Sequence, residues 1–291
     1  MNRVAHWLSR PESTIELNLS YRGLKTLRPE RIENLTDLTG LDLSGNKLTA
    51  LPPEIGNLTN LIYLALGNNQ LTALPSEIGN LSNLRVLELH DYSRSLDSPG
   101  NPLTVLPPEI GNLTSLDTLD LNENELTELP PEIGNLTNVV DLVIGNNHLT
   151  TLPPEIGNMT NLESIQLSNN NLSGSIPPEI GSLPNLKTLR LYENSLSGEI
   201  PSELGNLTTL NTLALNEGHD NLIQGRFVLI RRANDLSQSK SFIPSPQIGT
   251  HPNDVFGTHH AQDAYSLFNT LGLKLDLYSS AMKINSQYMH I

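Results

Sequence analysis

Residues 35–57 read LTDLTGLDLSGNKLTALPPEIGN, and residue 58 begins the same phrase again. Further copies start at Leu81, Leu113, Leu136, Met159, Leu183 and Leu207. From Leu35 onward the steps are 23, 23, 32, 23, 23, 24 and 24 residues. A fixed period of this size belongs to stacked-repeat architectures, in which no copy can bury its apolar face alone. An incomplete copy precedes them, with Ile15, Leu17, Leu19, Leu24, Leu27 and Ile32. It carries Arg22 where the later copies carry Asn, so a capping turn is expected there.

Each position in the phrase has a physical role. Leu41-Asp42-Leu43-Ser44 alternates apolar and polar residues, the period of a half-buried strand. Leu41 and Leu43 are expected to point inward, and Asp42 and Ser44 to solvent. Stacking should place Leu41, Leu64, Leu87, Leu119, Leu142, Ile165, Leu189 and Leu213 in one column. Asn46, Asn69, Asn101, Asn124, Asn147, Asn170 and Asn194 form a second column. Buried there, their amides can bond backbone groups left unpaired where the chain leaves the strand. Pro52 and its equivalents cannot continue a ladder and open the return. Gly56 and its equivalents are expected to permit a tight bend before the next Leu. The return is too short for a long helix, which leaves extended chain and single 3-10 turns.

The pattern L-x-x-L-x-x-L-x-L-x-x-N-x-L-x-x-L-P-x-E-I-G-N, over about residues 13–217, resembles the leucine-rich-repeat family. The resemblance implies an α/β solenoid, a right-handed superhelix with a concave parallel β-sheet and a convex side of loops and short 3-10 turns. The 23-residue form is similar to intracellular Ras-group and bacterial repeats. Two 24-residue copies, NNLSGSIPPEIGSL and NSLSGEIPSELGNL, are similar to plant receptor-kinase ectodomains. The expected organisation is an N-terminal cap and incomplete first repeat over 1–34, a solenoid over 35–217, and an improvised cap with a loosely ordered tail over 218–291. Val4, Trp7 and Leu8 have helical spacing and would cover the first strand.

The net charge of −14 argues against nucleic acid and anionic membrane as partners. No apolar run reaches membrane-spanning length. The chain contains no cysteine, which removes disulfides and thiolate chemistry. With no apolar segment of signal-peptide length at the start, a cytoplasmic monomer is the expectation. Composition breaks near residue 218. The remainder holds all four Phe, five of the eight His and no Glu. His251, Asp254, His259, His260 and Asp263 match no closed zinc spacing, so no metal and no cofactor is expected. No phosphate loop, kinase signature or tied nucleophile appears, and a non-enzyme is expected.

What remains is a binding module. The partner surface is expected on the concave sheet, at Tyr63, Glu88, His90, Asp120, Asp141, Gln166, Arg190 and Tyr192, with Ala65, Val86 and Val143 also facing solvent. The third copy is longer by nine residues, HDYSRSLDSPG after Leu89. That rim segment adds Asp91, Tyr92 and Arg94, because binding residues concentrate on loops held by a rigid scaffold. Acidic residues in the middle predict a protein or peptide partner of basic character. The alternative is a regulatory or sensory repeat region of a signalling enzyme, a kinase or Roco-type GTPase, whose catalytic part is absent here.

Overall fold

The computed structural model describes residues 15–90, 101–197 and 200–215. Nine short strands form one parallel sheet: β1 (Glu16–Asn18), β2 (Gly40–Asp42), β3 (Tyr63–Ala65), β4 (Val86–Glu88), β5 (Thr118–Asp120), β6 (Asp141–Val143), β7 (Ser164–Gln166), β9 (Thr188–Arg190) and β11 (Thr212–Ala214). Strands β8 (Ser173–Gly174) and β10 (Ser195–Leu196) pair separately. Successive strands are sheet neighbours, so each repeat is one coil of the solenoid. Register is unbroken: Leu41 pairs with Leu64, Leu64 with Leu87, Leu87 with Leu119 and Leu119 with Leu142. A slip of one residue would turn every leucine outward, so burial on one face fixes this register.

The leucine column is closed to solvent. Leu64, Leu87, Leu119, Leu142, Ile165 and Leu189 are all 0% exposed. Parallel strands are joined by a return on the far side. Each return holds one 3-10 turn, from Pro53–Asn57 through Ser202–Asn206, and each follows a proline, in extended conformation from Pro52 through Pro153. The first return instead closes one α-turn, α1 (Pro29–Ile32), with Glu33 N–H donating to the Pro29 carbonyl. The incomplete first copy joins the sheet through β1, and Leu17, Leu19, Leu24 and Leu27 pack half-buried on the core.

The glycines of the PEIG phrase have a different physical reason from the one expected. Gly134 has no left-handed backbone. A Cβ placed on it would lie 2.4 Å from the Glu155 carbonyl oxygen of the next coil. At Gly56 the same contact, to the Glu77 carbonyl, would be 2.5 Å. These residues let the returns of adjacent coils touch. They do not make a bend.

Left-handed backbone occurs elsewhere, at the residue before six of the seven ladder asparagines: Gly45, Asn68, Glu123, Asn146, Asn169 and Glu193, with φ between 51° and 64°. Gly and Asn adopt this conformation readily. Glu does not, and at Glu123 and Glu193 it is held by the surrounding coils.

The two 24-residue copies leave a mark that their leucine spacing does not announce. Ser173-Gly174 of one supplies β8 and Ser195-Leu196 of the other supplies β10, a second small sheet beyond the asparagine column. Where 23-residue coils meet 24-residue coils, a partly enclosed cavity of about 160 Å³ lies among Leu152, Leu172, Ile176, Leu191 and Leu196.

Candidate protein-interaction surface

The asparagines sit where the chain turns out of each strand, and all seven are 6% exposed or less. Asn147 shows the full pattern. Its Nδ2 donates to Leu121 O of the preceding coil at 2.9 Å and to Gly145 O of its own coil at 2.9 Å. Its Oδ1 accepts the Leu126 N–H at 3.0 Å. One amide thus ties three strand-end groups of two coils. Asn69, Asn101, Asn170 and Asn194 repeat both cross-coil bonds. At the end of the stack, Asn46 accepts from the Arg22 and Leu24 N–H groups.

The sheet face offered to a partner is more closed than alternation alone implies. Asp120 is 1% exposed and is not available for contact, which corrects its assignment as a binding residue. Its Oδ1 turns back to accept the Asn122 N–H at 3.1 Å. Ala65, Val86 and Val143 are likewise buried, at 4%, 8% and 4%. Ser44 is buried too, its hydroxyl donating to Asp42 Oδ1 at 2.6 Å. The physical reason is crowding. Strands about 4.8 Å apart on an inward-curving face leave small side chains in the shadow of their neighbours.

Tyr63, Glu88, His90, Asp141, Gln166, Arg190 and Tyr192 stand half-buried. They form two groups. Tyr63 Oη donates to Glu88 Oε2 at 2.9 Å across β3 and β4. Arg190 donates from its guanidinium to Gln166 Oε1 at 3.2 Å across β7 and β9. Strands β5 and β6 separate the groups, with Asp141 between them. Asp91, Tyr92 and Arg94 lie outside the described residues, as do the N-terminal helix expected around Trp7, the histidine-rich stretch and the tail.

One member of this face escaped the sequence reading. Glu123 Oε2 lies 3.0 Å from His90 Nε2, and the His90 side chain is only 9% exposed. The signal was present in the sequence: Glu stands where neighbouring copies have Gly or Asn. Among the described residues there is no cluster of His, Asp and Glu able to hold a metal ion. No described helix is long and apolar enough to cross a membrane.

The family model for a leucine-rich repeat region matches residues 16–99 and 94–192, and a single leucine-rich repeat matches 185–207. The chain belongs to the leucine-rich-repeat family. A leucine-rich-repeat protein of Leptospira interrogans is 38% identical, with a TM-score of 0.61 over 74% of this chain and 58% of that one. The ectodomain of the Arabidopsis thaliana membrane receptor kinase GASSHO1/SCHENGEN3, solved in complex with CASPARIAN STRIP INTEGRITY FACTOR 2, is also 38% identical. Its TM-score is 0.60, over 70% of this chain and 24% of that one. Internalin C2 of Listeria monocytogenes is 29% identical, with a TM-score of 0.56 over 67% and 77%. The chain therefore spans little more than half of the Leptospira protein and about a quarter of the plant ectodomain. No curated protein matches the chain.

Proposed function

We propose that the chain is a non-catalytic protein–protein interaction module whose partner docks on the concave sheet, with the 90–100 rim segment contributing through Asp91, Tyr92 and Arg94. The observation that carries this reading is a nine-stranded face with Glu88 and Asp141 half-buried in its middle and Tyr63, Arg190 and Tyr192 at its flanks. Tyr and Arg are the usual anchors of interfaces, and carboxylates between them favour a basic partner. The related folds support binding as the general role, since one of them is held in complex with a named factor.

The test is a double variant, Glu88→Lys with Asp141→Lys. Asp120 is left alone because its replacement would place a charge in a buried site. With a partner captured by the wild-type protein, the association rate of the variant should fall about tenfold or more. Its dependence on salt should flatten as well. Unchanged association at every salt concentration would overturn the reading.

A second reading is a regulatory or sensory repeat region of a signalling enzyme, a kinase or Roco-type GTPase. The share of the plant ectodomain that this chain spans, and the Ser-Gly-x-Ile-Pro turns of its last copies, favour it. A kinase or GTPase reading frame continuous with this one would decide for it.

A further inference from the structure

The concave sheet is a limited platform. Nine strands at about 4.8 Å and about five residues of width give on the order of 600 Å², short of the roughly 800 Å² per partner of a standard interface. Beside it, along the edge where the chain enters the strands, runs an open groove of about 830 Å³. It crosses six coils, from Ile15 to Asn138.

The groove is lined by preset acceptors. Asn60 donates its amide to Thr36 O at 2.9 Å, and Asn83 donates to Thr59 O at 2.9 Å. Asn138 makes the same bond to Thr114 O at 2.8 Å. Each bond spends an amide hydrogen and fixes the plane of the side chain, so the Asn60 and Asn83 carbonyl oxygens keep their lone pairs for an incoming donor. Asp37 is exposed and engages no cation among the described residues. Among the described lining residues the single cation, Arg85, is already held by Asp117 at 2.5 Å. Ile15, 52% exposed, and the half-buried Ile62 supply apolar contact between the polar rows.

We propose that this lateral groove seats an extended, lysine- or arginine-bearing segment of a partner polypeptide, with a basic side chain on Asp37. The proposal rests on the reading of the chain as an interaction module and names a second surface for it. The complementarity is specific in kind. Donors are needed and acceptors are supplied, the unpaired charge is negative, and the aliphatic stems of Lys and Arg fit against isoleucine. Five coil spacings of about 4.8 Å span roughly 24 Å, the length of about seven extended residues.

The probe is a capped seven-residue peptide alternating lysine and serine, with a glutamate–serine peptide as control, titrated into the isotope-labelled full chain. The side-chain amide resonances of Asn60 and Asn83 are expected to move with the lysine peptide and not with the control. Asp37→Lys, at an exposed position, should weaken binding about tenfold or more. Glu203→Lys, at an exposed position on the last return, should leave it within about twofold. Resonance changes confined to the sheet, with Asp141→Lys weakening binding and Asp37→Lys neutral, would overturn the groove and leave the sheet reading intact. Absence of any shift with the lysine peptide would overturn the groove as well, while the sheet reading would still answer to its own charge-reversal test.

Discussion

The junction between the coils of Asn124 and Asn147 and the junction between those of Asn101 and Asn124 are built from the same phrase, yet they are bonded differently. Across the first, Asn147 reaches back to Leu121 O and accepts from the Leu126 N–H. Across the second, Asn124 bonds only the Leu121 and Asn122 carbonyls of its own coil, and its buried Oδ1 has no partner. The coil before it carries the nine extra residues. That coil also has Pro102 where Glu125 and His148 donate N–H to the preceding coil, so a cross-coil bond is also lost behind it, toward the coil of Asn69. The sheet nonetheless runs straight through, with Leu89 N–H donating to Asp120 O at 2.8 Å. The strand column and the asparagine column are therefore separable. The first runs through the inserted coil on both sides, whereas the second is kept behind it at Asn101 and broken ahead of it at Asn124.

The largest effect should come from breaking the period itself. Removing residues 113–135, one full 23-residue step, keeps every remaining coil in phase and should leave a folded, shorter solenoid. Removing residues 113–124 alone puts strand against return and should unfold the neighbouring coils. Circular dichroism melts of the two deletions separate these outcomes, and identical melts would mean the coils are not equivalent units.

Next in size is the asparagine column. Asn147→Leu orphans buried strand-end groups in two coils and should lower stability by about 1–3 kcal/mol. Asn124→Leu removes an amide that ties one coil only and discards an acceptor with no partner. It should cost clearly less in the same denaturant titration. Equal losses would show that the break at Asn124 has no energetic content.

Comparable with the loss at Asn147 is that of Gly134→Ala. The added methyl meets the Glu155 carbonyl, and the coils must part by a few tenths of an ångström or more. A loss of about 1–3 kcal/mol from overpacking is expected. A neutral result would show that the coils can part there at no cost and that close approach is not what requires glycine.

Much of this molecule was legible before folding. The leucine and asparagine columns follow from a period and an alternation, and both are properties of sequence spacing. The 3-10 turns follow from proline and from the few residues between strands. The binding face was legible only as a set of positions. Whether Asp120 faces water depends on side chains 23 and 32 residues away in sequence and one strand away in space. So do the Tyr63–Glu88 bond, the His90–Glu123 contact, the reason for Gly134 and the lateral groove. The sequence by itself determined the repeat, its register and its inward face, because burial of one leucine row admits a single phase. Only the tertiary structure decided which outward residues reach a partner, because stacking brings different coils to within about 4.8 Å and crowding is set there rather than along the chain.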